Sequence, residues 1–219
     1  SHFNLERLQV LVNARPELAR ATWDWGFGDW ETAIGAASHT GRKDIVGYLL
    51  SKGARPDIFT FCMLGHYNVV RSMIESSPGI QKITGPHGIS LLQHAKAGLS
   101  TDNSNKAEAQ KMISYLESLS DADGLVYMPM DETEKNKYVG DYKYGGGENE
   151  GFSIKLNMKK IISLGKIGKS GGALYQVADN QFIYNGTSSI KISFAKEHDK
   201  VVSLTVSEPG LTLVAKKVS

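Results

Sequence analysis

Thr32-Ala33-Ile34-Gly35-Ala36-Ala37, then Gly41-Arg42-Lys43-Asp44-Ile45-Val46, then Leu49-Leu50-Ser51-Lys52-Gly53-Ala54: this stretch decides how the first half of the chain folds. It reads as a short helix of small residues, a glycine turn, and a second helix with an apolar stripe at i, i+1, i+4 and i+5. Working outward, the stripe recurs. Leu8, Leu11 and Val12 precede it; Val69, Val70, Met73 and Ile74 follow, and then Met112, Ile113 and Leu116. Small-residue helices and glycine turns also recur, as Phe61-Cys62-Met63-Leu64 before Gly65 and Ser90-Leu91-Leu92-Gln93-His94-Ala95 before Gly98. A helix pair this short cannot bury its stripe alone, so neighbouring pairs must bury it for each other. Ala36, Ala37 and Ala95 are small enough to permit the close approach this needs.

From Tyr138 the apolar period shortens to two. Candidate strands are Tyr138–Tyr144, Phe152–Met158, Ile161–Ile167, Ala173–Ala178, Phe182–Tyr184, Ile190–Phe194, Val201–Val206 and Leu211–Ala215. Turn signals separate them: Gly145-Gly146-Gly147, Gly171-Gly172, Asp179-Asn180, Asn185-Gly186, Glu197-His198-Asp199-Lys200 and Pro209-Gly210. Eight short strands at regular spacing predict an up-and-down barrel or a strongly curved sheet. Asp131, with Glu134 three residues on, predicts a capped helix through Lys137. The expected fold class is therefore α+β in two domains, residues 1–124 helical and 125–219 antiparallel β.

The helical pattern resembles ankyrin repeats over about residues 3–122. Glu31-Thr32-Ala33-Ile34-Gly35-Ala36-Ala37 through Gly53-Ala54 carries the likeness from end to end. Gly65-His66-Tyr67-Asn68-Val69-Val70 matches the middle of one repeat, and Gly88-Ile89-Ser90-Leu91-Leu92-Gln93-His94-Ala95 the start of another. The usual helix-entry proline is replaced by Ala33 and Leu91. The resemblance implies a stack whose concave face of turns and first helices binds a partner, usually a protein. Tyr138-Val139-Gly140-Asp141-Tyr142 and the strands after it are similar to the lipocalin-like C-terminal domain of bacterial β-lactamase-like serine hydrolases, over about residues 131–218. There the domain is an accessory to a catalytic unit for which this chain has no counterpart.

Composition narrows the function. Of 219 residues, 41% are apolar and 22% charged, a globular balance. Lys+Arg 25 against Asp+Glu 23 leaves a net charge of only +2 and gives no reason to expect nucleic acid. No apolar run reaches the ~18–20 residues of a membrane span. Cys62 is the single cysteine, so an internal disulfide is excluded. One cysteine suits a reducing compartment or a bacterial periplasm, with an extracytoplasmic home slightly favoured. Ser1-His2 reads as a cloning scar or a processed start.

The chemical motifs are incomplete. Gly168-Lys169-Ser170 lacks the earlier glycine of a phosphate loop and sits in strand context. Ser163-Leu164-Gly165-Lys166 and Ser188-Ser189-Ile190-Lys191 place serine and lysine on opposite strand faces. Neither His-Glu-x-x-His nor paired Cys/His spacing is present, so no metal ligand set and no cofactor are expected. The ankyrin resemblance implies that His66 is a turn histidine bonded to backbone, and His39, which precedes a turn, reads in the same sense.

The unusual segment is Trp23-Asp24-Trp25-Gly26-Phe27-Gly28-Asp29-Trp30-Glu31. One reading has the rings cover an end of the stack while the carboxylates cap turns. The other makes Trp23, Asp24, Trp25, Asp29, Trp30 and Glu31 an aromatic platform for a cationic or hydroxylated ligand, with His87 on the equivalent turn and His94 beyond it. The leading expectation is a non-catalytic module binding a protein or small molecule. The alternative is a small-molecule binder or enzyme using the Trp/Asp turn with His87 and His94 between stack and barrel. A third possibility uses the barrel lumen as a cavity, which bulky inward Tyr, Phe and Ile residues would exclude.

Overall fold

The computed structural model describes residues 2–26, 29–101, 106–124, 126–157, 160–169 and 171–218. The chain forms two compact units. One comprises Ser1–Asp24 and Trp30–Leu125, the other Trp25–Asp29 and Val126–Ser219.

In the first unit, helix α1 (Leu5–Ala14) begins where Asn4 Oδ1 accepts from the Arg7 amide at 2.8 Å. A 3-10 turn at Pro16–Arg20 leads into a two-stranded antiparallel ribbon, β1 (Thr22–Asp24) and β2 (Trp30–Thr32). Helices α2 (Ala33–His39) and α3 (Lys43–Ser51), α4 (Ile58–Leu64) and α5 (Tyr67–Ser76), and α6 (Leu91–Thr101) and α7 (Lys106–Ser118) follow, each packed on its partner. The first members α2, α4 and α6 also pack against one another.

Sequence explains these boundaries. Thr32 Oγ1 caps α2 through the Gly35 amide at 3.0 Å, and Asp57 Oδ1 caps α4 through the Thr60 amide at 2.8 Å. Gly65 closes α4 in the left-handed region (φ 77°), which a side chain disfavours. Two apolar clusters fill the unit. One is built around Val12, Ile45, Val46, Leu49 and Met63, the other around Phe59, Leu91, Met112, Ile113 and Leu116. Ala36, Ala37 and Ala95 are buried, as their size suggested. Leu11 and Val69 are exposed instead of core, because burial on α1 and α5 follows the i, i+4 pairs Leu8/Val12 and Val70/Ile74. Of the surface loop expected at Ser100–Asn105, residues 100 and 101 continue α6, and 102–105 lie outside the described residues.

In the second unit, α8 (Glu132–Tyr138) starts at the expected cap, Asp131 Oδ1 accepting from the Glu134 amide at 2.8 Å. Eight strands then form a closed antiparallel barrel: β3 (Gly140–Lys143), β4 (Gly151–Leu156), β5 (Ile162–Lys166), β6 (Gly172–Ala178), β7 (Gln181–Tyr184), β8 (Thr187–Glu197), β9 (Lys200–Glu208) and β10 (Leu211–Lys217). Each pairs with the next, and β10 returns to β3 through Lys216↔Lys143 and Lys217↔Tyr142. Tyr138, expected to open the first strand, ends the helix instead, because the Asp131 cap starts helical hydrogen bonding that runs through it. Met158 and Ser170 lie outside the described residues.

The turns use left-handed residues where the sequence offers them: Asn185 and Gly186 (φ 46° and 76°), and His198 and Asp199 (φ 47° and 65°). Ile190, Ile192 and Phe194 alternate inward along β8. On β9, Val201 and Leu204 are both buried although three apart. Lys196 pairs with Val201 and Ala195 with Ser203, so Val202 is an extra residue that resets the alternation. Tyr138, Tyr142, Ile154, Phe182, Ile192 and Phe194 fill the interior, with Tyr138 and Phe194 edge-on at 4.8 Å. The barrel interior is a packed core, and the lumenal-cavity expectation fails on that ground. Among the described residues, no helix is long and apolar enough to cross a membrane.

Candidate functional site: a carboxylate among histidines

The ribbon brings the unusual segment into register. Trp23 lies directly opposite Glu31, and Asp24 directly opposite Trp30. Residues directly opposed on antiparallel strands share a face. Trp23 and Glu31 therefore occupy one side of the ribbon, Asp24 and Trp30 the other. Trp23 is 66% and Trp30 59% exposed, whereas Glu31 is only 4% exposed. The two rings do not form one platform, and neither is buried under an end of the helices.

Three imidazoles gather round Glu31. His39, the last residue of α2, places Nε2 2.8 Å from Glu31 Oε1. His87 Nε2 lies 3.3 Å from the same oxygen, and His2 Nε2 3.4 Å from Oε2. The His39 ring is edge-on to both of the others, 5.1 Å from His2 and 5.4 Å from His87 between centroids. One ligand-type atom from each of His2, Glu31, His39 and His87 falls within 4.8 Å of the others.

Local structure holds each group. Glu31 immediately precedes the Thr32 cap, so the start of α2 fixes its backbone. His87 sits in a one-turn 3-10 segment, Pro86–Gly88, at φ 61° and ψ 20°. That left-handed conformation costs a non-glycine residue ~1–2 kcal/mol. The loop is closed by the Gly85 amide donating to the Ile89 carbonyl at 2.8 Å and by a bridge between Thr84 and Ser90. Pro86 lies over α2 at Gly35, where an added Cβ would come within 3.6 Å of the proline ring.

His94 stands behind the cluster, its ring 6.4 Å from that of His39 and packed on Phe59. It is fully buried, and its Nδ1–H donates to the Ser90 carbonyl at 2.8 Å. Burial lowers its pKa to about 4, the Ser90 contact opposing and His39 adding to the shift, so it is neutral at physiological pH.

The remaining expected site residues have other surroundings. Trp25 and Asp29 belong to the barrel unit, where the Tyr184 hydroxyl donates to the Trp25 carbonyl at 3.3 Å and the Asn185 amide donates to Asp29 Oδ2 at 2.6 Å. Asp29 is a buried structural acceptor there. Of the eight expected residues, the fold brings Glu31 and His87 into direct contact, with Trp23 beside them on the ribbon and His94 behind His39. Sequence reasoning read His39 as a turn histidine and His2 as part of a cloning scar or processed start, whereas both rings reach Glu31. The four clustered residues come from separated segments and so show no local spacing; the only hint was His39 ending the helix that Glu31 precedes. Compared with protein-family models, curated proteins and solved structures, the chain gives no match in any of the three.

Proposed function

We propose that this chain is a non-catalytic binding module: an ankyrin-like helical unit whose ribbon receives a protein partner, joined to a lipocalin-like barrel in an accessory role. Paired helices with their first members packed together, and extended tips at β1–β2 and at residues 84–90, support the ankyrin-like reading. The observation that carries the function is the cross-strand pair Asp24↔Trp30, both exposed on one face of the ribbon. An indole beside a carboxylate fits a partner's lysine or arginine, the ring attracting the cation over its face and the acid pairing with it. Exposed sites of this kind contribute ~0.5–1 kcal/mol from the ring alone, so the partner surface must be broader than one side chain.

The test is a peptide array scored by binding and by tryptophan fluorescence. Peptides carrying lysine or arginine are expected to be selected and to perturb the emission, with Trp30→Ala and Asp24→Asn each lowering affinity several-fold. Array binding that ignores basic residues, or that survives Trp30→Ala unchanged, overturns the reading. So does turnover in a broad hydrolase panel that is lost in Asp24→Asn.

A further inference from the structure

We propose that His2, Glu31, His39 and His87 form a closed zinc-class metal site in the helical unit. The site lies with Trp23 on the ribbon face opposite Asp24 and Trp30, so it is independent of the partner-binding reading.

Spacing is the first argument. Ligand atoms ~2.0–2.1 Å from a tetrahedral zinc ion lie about 3.3 Å from one another. Glu31 to His87 is 3.3 Å and Glu31 to His2 is 3.4 Å. The 2.8 Å contact between Glu31 and His39 is a hydrogen bond, and it would lengthen by roughly 0.5 Å as both groups turn to the ion. The imidazole proton facing Glu31 then leaves for solvent or for the other ring nitrogen.

Donor chemistry is the second. Three imidazoles and one carboxylate suit zinc, copper or nickel, while calcium and magnesium take oxygen shells. A tetrahedral arrangement of nitrogen with one oxygen selects zinc, and four protein ligands leave no open position for substrate. Such a site is structural.

Burial is the third. A carboxylate side chain 3% exposed must be compensated, and one divalent ion held by neutral imidazoles does so for the whole cluster. The left-handed backbone of His87 is retained at the point where its ring reaches the carboxylate, the kind of place where backbone strain persists. The ion would join the start of the chain, the ribbon, the end of α2 and the 84–90 loop.

The full chain, stripped with a chelator, is titrated with Zn²⁺ by calorimetry and with Co²⁺ by visible absorption. One equivalent of each is expected, with the intense bands of tetrahedral Co²⁺ and a higher thermal midpoint in zinc. Glu31→Gln and His87→Asn should each weaken zinc binding by at least about tenfold. Asparagine tolerates the left-handed backbone, so His87→Asn keeps the proposal testable should Glu31→Gln fail to fold. Trp30→Ala should bind zinc as the parent does. Failure of the parent chain to take up Zn²⁺, a weak octahedral Co²⁺ spectrum, or unchanged affinity in His87→Asn overturns the proposal.

Discussion

Glu134 accepts from two ammonium groups, Lys196 at 2.8 Å and Lys137 at 2.9 Å, and Lys137 also reaches Asp199 at 2.9 Å. The lysines, Lys196 foremost, hold its pKa at about 2, below the ordinary 4.5. A carboxyl whose folded pKa is depressed binds its proton more readily in the unfolded chain. Its contribution is complete above about pH 4.5 and disappears as the pH falls toward 2. In Glu134→Gln, urea unfolding should show a flatter decline across that window. At neutral pH the loss should be about 1 kcal/mol or less, since both ion pairs are partly exposed. An unchanged acid limb would show that Glu134 does not set it. This carboxyl was readable from sequence only as a helix-start residue, because its partner Lys196 lies 62 positions away.

At the scale of elements, glycine on a helix separates packing from propensity. Replacing an interior helical glycine by alanine ordinarily gains roughly 0.5–1 kcal/mol. On α3, an added Cβ at Gly47 meets nothing within 4 Å, so Gly47→Ala should realise that gain. On α6, a Cβ at Gly98 would overlap the backbone carbonyl of Met63 at the end of α4. Backbone cannot rotate out of the way, so Gly98→Ala should destabilise by about 1–3 kcal/mol net. Chemical denaturation followed by circular dichroism decides both. Equal shifts at the two positions would mean that the α4–α6 approach is looser than described.

The same contrast shows what sequence could yield. Strand order and turns were legible because Asn185-Gly186 and Asp179-Asn180 declare their backbone conformations locally. Ala36, Ala37 and Ala95 declared close packing by their size. The phase of a helical stripe was not legible at its edges, which is why Leu11 and Val69 were misplaced. The histidine cluster was less legible still. Glu31 and His87 were expected on equivalent turns of one candidate site, but only tertiary structure brings His2 and His39 to them.

For the whole molecule, the instructive residue is Asp29. It belongs to the barrel unit, where it accepts from Asn185 at 2.6 Å. Asn185 is buried at a left-handed turn, and its Oδ1 also accepts from the Ala173 amide at 2.6 Å. Removing one partner of a buried hydrogen bond costs about 1–3 kcal/mol. Asp29→Ala should therefore lower the unfolding free energy of the barrel by that amount, and a barrel fragment starting at residue 126 should show a similar deficit. Equal stability of parent and Asp29→Ala would remove this pairing from the barrel's supports.

The closing pairing of β10 with β3 imposes an order of events on synthesis. Lys143 leaves the ribosome more than 70 residues before its partner Lys216. Until then β3 and β9 each present a row of unpaired amides and carbonyls, a template for a neighbouring nascent chain. The helical unit, whose helix pairs are contiguous in sequence, can settle early in translation, but the barrel must wait for its last strand. Ribosomes that stall before residue 211 would thus release the most aggregation-prone form of this protein.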